Sequence, residues 1–211
     1  NTPVIEETLE FSNKRQKVEI KVTKEDAETG KKLEGAVFGI YNKNDILAGG
    51  KVLVKADTLL QKVKSDKNGL AQITLDLPLG KYYVKELQAP DGYVSSDEIL
   101  EFDASYQGQD VKVIKLKATK KNQPTTVEIT KADVTTGVEL DGASLIILNK
   151  KGEVVDFWTS VKDKPHVIKG LKVGEIYTLR EQIAPYGYLR TTDISFQISD
   201  TAEVQKVKME D

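Results

Sequence analysis

The chain has 211 residues, enough for one large domain or two ordinary ones. Its 31 basic and 33 acidic side chains nearly cancel to a formal charge of −2, which leaves no footprint for nucleic acid or an anionic membrane. No cysteine is present, which excludes disulfides, zinc–thiolate sites and thiol nucleophiles, and no apolar run approaches the roughly 20 residues that span a bilayer.

In chain order, residues 1–17 read as an N-terminal tail in which Leu9, Phe11 and Asn13 share one strand parity. It begins at Asn1 without a signal peptide, and "LPLGK" at 77–81 lacks the threonine of a sortase-type LPxTG signal, so the sequence reads as a fragment of something longer. From residue 18 onward short alternating segments follow: "VEIKVTK", "AVFGIYN", "LAQITLDL", "KYYVKEL", "EILEFDA" and "VKVIKLKA", separated by turns such as "DAETG" and "SDKNG". A second series runs through "VEITK", "SLIILN", "VVDFWTS", "PHVIKG", "IYTLREQ", "DISFQIS" and "VQKVKME". No stretch holds a helical period beyond one or two turns, so the chain is expected to be all-β.

The two series are copies of one unit. "VTKEDAETGKKLEGAVFGIYNKND" (22–45) matches "ITKADVTTGVELDGASLIILNKKG" (129–152), and "LPLGKYYVKELQAPDGY" matches "LKVGEIYTLREQIAPYGY". The offset is 107 residues between Lys24 and Lys131 but 95 between Glu86 and Glu181, so copy one carries about a dozen extra residues, placed around "AGGKVLVKADTLLQ". The tails align as "VIKLKA" against "KVKMED", and a hinge is expected at "KNQPTT" (121–126). The units are therefore 18–122 and 123–211.

Strand parity places charges on apolar faces. Lys131 shares a face with Val127 and Ile129, Glu181 with Tyr177 and Leu179, and Asp211 with Val207 and Met209. Copy one repeats the lysine and the glutamate, as Lys24 beside Ile20 and Val22, and as Glu86 beside Tyr82 and Val84. Each would be costly to bury alone as an ion, whereas together they neutralise one another. The alternative is that each lies at a strand end and reaches solvent.

The pattern K-x-D-x-x-x-G-x-x-L-x-G-A followed by G-x-Y-x-x-x-E-x-x-A-P-x-G-Y resembles the Cna-B/SpaA-type (prealbumin-like) modules of Gram-positive surface proteins and pilins, over residues 18–211. The resemblance implies two tandem transthyretin-like, inverse-immunoglobulin β-sandwich domains. It also implies an intramolecular isopeptide bond between a first-strand lysine and a last-strand Asn or Asp, promoted by a glutamate. In domain 2 these roles fall to Lys131 (amine), Asp211 (acceptor) and Glu181 (promoter). An apolar site favours the neutral amine that attacks and the protonated carboxyl that polarises the acceptor carbonyl.

In domain 1 the tail alignment sets Ala118 where Asp211 stands, and alanine cannot accept the bond. Asn122 has the same parity and is the other candidate acceptor, with Lys24 as amine and Glu86 as promoter, although Lys120 then also faces inward. A plain buried Lys24–Glu86 ion pair without a bond remains open. By the same grammar Asn13 reads as the orphaned acceptor of a preceding module, or the tail is a disordered leader.

The expected function is a structural stalk or pilin-like repeat of a cell-wall-attached, extracellular adhesin, with neighbouring modules of the same chain as partners. The alternative is an adhesin module whose loops bind a host matrix protein or glycan. No enzyme activity on an external substrate, no cofactor and no metal site is expected, and the fragment reads as a monomer. His166 is the only histidine and reads as an ordinary loop or strand residue; Trp158 reads as a packing residue, and "SDKNG" as a turn rather than a calcium loop.

Overall fold

The computed structural model describes residues 15–211, so the Leu9–Asn13 segment and the acceptor role read for Asn13 lie outside the described residues. The first domain runs through β1 (Lys17–Asp26), β2 (Val37–Asn42), β3 (Ile46–Ala48), β4 (Lys51–Val54), β5 (Leu59–Lys64), β6 (Leu70–Gln72), β7 (Gly80–Gln88), β8 (Leu100–Ala104) and β9 (Val113–Asn122). The second follows with β10 (Thr126–Ala132), β11 (Ser144–Leu148), β12 (Val154–Thr159), β13 (His166–Lys169), β14 (Ile176–Ile183), β15 (Ile194–Gln197) and β16 (Gln205–Glu210).

Each domain is a sandwich of a three-stranded and a four-stranded sheet. The small sheets have the order β6-β1-β9 and β13-β10-β16, and the large sheets β5-β2-β7-β8 and β12-β11-β14-β15. First and last strands are parallel neighbours in both domains. β1 alternates strictly, burying Val18, Ile20, Val22 and Lys24 on one face. Its apolar members meet Phe38, Ile40, Tyr82, Val84 and Phe102 of the facing sheet. In the second domain Val127, Ile129 and Met209 meet Leu145, Ile147, Tyr177 and Leu179. Each such side chain, fully buried, contributes about 1.5–3 kcal/mol, so both sandwiches hold without disulfides. The extra residues of copy one form the β3–β4 hairpin, a separate two-stranded sheet between β2 and β5.

Register corrects the tail alignment. β9 does not stop near Ala118 but continues to Asn122, pairing Val22 with Ala118, Lys24 with Lys120 and Asp26 with Asn122. In the second domain Ile129 pairs with Val207 and Lys131 with Met209. Ala118 is thus the counterpart of Val207, and Asn122 is the counterpart of Asp211, each two residues beyond the partner of the lysine. Parity could not separate these positions, because Ala118, Lys120 and Asn122 all lie on one face.

The hinge expected at 121–126 is a fastened junction. β9 occupies its first part, and Thr125 is fully buried. The Thr125 amide donates to Gly92 O at 3.0 Å, its hydroxyl donates to Leu171 O at 2.6 Å, and its carbonyl accepts from the Gly170 amide at 3.0 Å. Lys169 pairs with Glu28 at 2.6 Å and Lys172 with Asp91 at 3.2 Å across the same seam. The polar composition that suggests a solvated hinge instead satisfies partners in both domains. Gly92 has φ +84°, and a Cβ there would sit 2.4 Å from Gly170 O. Gly92→Ala is expected to pry the domains apart, adding a left-handed penalty of about 1–2 kcal/mol to the clash. Limited proteolysis should then cut the 123–126 segment faster while each sandwich keeps its own unfolding midpoint.

Candidate functional site

In the second domain, the β10–β16 ladder brings Lys131 and Asp211 together, and β14 delivers Glu181 from the facing sheet. All three side chains are almost wholly removed from solvent, at 1%, 2% and 0% exposure. Lys131 Nζ donates to Asp211 Oδ1 and lies 3.1 Å from Glu181 Oε1. Glu181 Oε2 accepts from the Thr191 amide at 2.9 Å, while Asp211 Oδ2 is buried without a hydrogen-bond partner. Asp211 is pinned on both sides of its backbone, its amide donating to Ala132 O at 3.0 Å and its carbonyl accepting from Val134 N at 2.7 Å. The trio sets one basic and two acidic side chains together out of water, where each is costly to bury without the others.

The first domain assembles the same constellation with the Asn122 amide in place of the Asp211 carboxyl. Lys24 Nζ donates to Asn122 Oδ1 at 2.5 Å and lies 3.5 Å from Glu86 Oε1. Asn122 Nδ2 donates to Glu86 Oε2 at 2.6 Å and to Val94 O at 2.8 Å. Glu86 therefore spans the amine and the amide nitrogen, one oxygen toward each. Burial holds the Lys24 amine below its ordinary pKa, against the opposing pull of the Glu86 carboxylate. That favours the neutral, nucleophilic form. Ala118 only lines the edge of the core and holds no polar contact to the trio.

Two further features lay beyond the parity argument. Lys120 faces inward beside Lys24 as parity requires, but its partners, Ser96 Oγ and Glu98, were not announced by it. The aspartate of each K-x-D motif caps its own turn and is also bonded by the tyrosine of the distant G-Y motif. Asp26 Oδ1 accepts from Glu28 N and Thr29 N, and Oδ2 from Tyr93 OH at 2.8 Å. Asp133 accepts from Thr135 N, Thr136 N and Tyr188 OH in the same way. Burial, reinforced by the Asp26 carboxylate, pushes the Tyr93 hydroxyl up to about 12. These clamps hold the loop after the glutamate strand against the turn after the lysine strand. Recurrence of both residues in both copies was the available sequence signal.

The remaining candidates settle as ordinary structure. His166 opens β13, stacks on Trp158 at 4.0 Å and bonds Asp156 Oδ2 at 2.7 Å. Trp158 packs partly buried against the second core. In "SDKNG", Asp66 Oδ1 accepts from Asn68 N and Leu70 N, which closes a turn. Among the described residues no cluster of His, Cys, Asp or Glu is arranged to hold a metal, and no helix is long and apolar enough to cross a membrane.

Fold and site together define a pair of prealbumin-like β-sandwich domains, each with a buried lysine hydrogen-bonded to a side chain at the end of its last strand. The family model of the SpaA prealbumin-like fold domain matches residues 18–120 and 125–211, and the chain belongs to this family. Among solved structures it is similar to the Bacillus anthracis TIE protein, at 32% identity and TM-score 0.57, over 92% of this chain and 34% of that one. It shares its fold with a C-terminal fragment of the pilus adhesin SpaC from Lactobacillus rhamnosus GG, at 18% identity and TM-score 0.52, over 88% of this chain and 84% of that one. A segment of 80 residues is 35% identical to the trypsin-resistant surface T6 protein of Streptococcus pyogenes serotype M6, covering 38% of this chain and 12% of that protein. The chain thus spans about a third of the first of these proteins and about an eighth of the last.

Proposed function

We propose that this chain is a structural stalk or pilin-like pair of modules, bounded at 18–122 and 123–211, of an extracellular adhesin attached to a Gram-positive cell wall. Each module is locked by an autocatalytic isopeptide bond, and its partners are the neighbouring modules of the same chain. The observation that carries this reading is the pair of buried Lys–Glu–Asn and Lys–Glu–Asp trios that bridge the first and last strands. Membership of a family with relatives among surface proteins and pilus adhesins supports the location.

The chemistry balances with side chains alone. In domain 2 the neutral Lys131 Nζ attacks Cγ of the protonated Asp211 carboxyl, forming the N–C bond. Glu181, beside Nζ, takes the amine's proton and delivers it to the departing hydroxyl, so one water leaves as the C–O bond breaks. In domain 1 Lys24 attacks Cγ of Asn122, and Glu86 passes the proton from the amine to Nδ2, so one ammonia leaves. Burial supplies proximity that free solutes lack, and each glutamate ends as it began. These are single-turnover self-reactions. A bond along the shearing first and last strands would carry load past the hydrogen-bond ladder.

Intact mass of the purified chain tests this reading. The expected mass is that of the sequence less one water and one ammonia, and the unchanged sequence mass would refute cross-linking in both domains.

A further inference from the structure

Lys120 is buried as deeply as Lys24, at 1% and 0% exposure, yet the cross-link chemistry has no use for it. It is the direct ladder partner of Lys24. Its ammonium donates to Ser96 Oγ at 2.8 Å, Glu98 O at 2.8 Å and Glu98 Oε2 at 2.9 Å, which uses all three hydrogens. Ser96 and Glu98 lie two and four residues past Val94, whose carbonyl accepts from the amide of Asn122 at Nδ2. Lys120 thus ties down the segment that holds the acceptor. The second domain places Met209 at the same register and fastens its corresponding loop through Thr191 N to Glu181 instead.

The groups facing the Lys24 amine are Glu86 from β7, Asn122 and Lys120 from β9, and Asp26 from its own strand. Lys120 is the one cation in this set. We propose that Lys120 is a positioning residue for the domain 1 cross-link, clamping residues 94–98 onto the acceptor amide and setting a like charge beside the attacking amine. The like charge disfavours the ammonium form of Lys24 and so enlarges the fraction able to attack. Burial and Lys120 act together in lowering the Lys24 pKa, with Glu86 and Asp26 opposing them. Domain 1 needs this more than domain 2, because an amide is a poorer acceptor than a carboxylic acid.

This inference rests on the cross-link reading above, and one experiment separates the two. The full chain and its K120M and K120R variants are made by cell-free synthesis, and their intact masses are followed in time between about pH 6 and pH 9. The wild type should lose ammonia readily at neutral pH. K120M, which installs the residue domain 2 uses, should lose it markedly more slowly there and recover at alkaline pH, as expected for an amine that holds its proton more tightly once the neighbouring like charge is gone. K120R should restore the wild-type profile. Loss of water from domain 2 of the same molecules should be unaffected and reports that synthesis and folding succeeded. A K120M profile matching the wild type at every pH would overturn the proposal. So would a slowing equal at every pH that K120R does not rescue, which marks a packing defect. A wild type that never loses ammonia would refute the domain 1 cross-link itself.

Discussion

Glu181→Ala is expected to abolish the water loss from domain 2 while leaving the ammonia loss from domain 1 intact. Among the described residues Glu181 is the ionisable side chain beside the Lys131 amine other than Asp211, at 3.1 Å from Nζ. Without it the proton of the attacking nitrogen has no route to the leaving hydroxyl. The variant should still fold, because Lys131 and Asp211 remain as a matched buried pair. Stability nonetheless falls, since the closed loop spans 80 residues of sequence and its closure is worth about 4–5 kcal/mol in the chain-entropy treatment. For a domain of this size that is a drop on the order of 20 °C or more in Tm, confined to domain 2 in calorimetry. Glu181→Gln separates the causes, as it keeps volume and most hydrogen bonding but cannot relay a proton. A Gln variant that still loses water would show that the carboxyl is not the relay.

The clamps predict a milder pH effect. Hydrogen bonds from Thr136 N and Tyr188 OH hold the Asp133 carboxyl below its ordinary range. A carboxyl depressed in the folded state lends stability at pH values above its unfolded pKa and loses it as pH falls through the lower folded value. Acid should therefore loosen the Asp133–Tyr188 contact.

The sandwich architecture was legible because alternation with period two survives in nearly every strand, and the repeat supplied a second reading of each. The lysine and glutamate of each trio were legible for the same reason, as charges at apolar parity. The domain 1 candidate acceptor, Asn122, was legible only as one of two readings. Parity repeats every second residue, so Ala118, Lys120 and Asn122 were equivalent to it, and it is the ladder pairing Lys24 with Lys120 that sets Asn122 at the level of Asp211. Lys120 weighed against Asn122 because its own partners, Ser96 and Glu98, come from an irregular segment that no periodicity announces. The junction was misread for a related reason. Proline and threonine in a polar stretch look solvated until the carbonyls of Gly92 and Leu171 arrive from far along the chain.

Register also fixes the strongest test of domain 1. Asn122→Ala should abolish the ammonia loss, and adding Ala118→Asn to it should not restore it, because position 118 lies opposite Val22 rather than near the amine. Asn122→Asp should instead cross-link with loss of water and arrive at the same final mass as the wild type, since the amide formed is the same. The two ways of deleting the bond differ in cost. Asn122→Ala forfeits the closure of a 98-residue span, again about 4–5 kcal/mol, but leaves Lys24 and Glu86 paired. Lys24→Met forfeits the same closure and also strands Glu86, whose Oε1 already has no hydrogen-bond partner, in a pocket that water does not reach. Breaking one side of a buried pair adds about 3–5 kcal/mol, so Lys24→Met should be the more damaging change by that margin in denaturant titration. Equal losses for the two variants would mean that Glu86 is accommodated as a neutral acid without its lysine, and that the pair contributes only through the bond it makes.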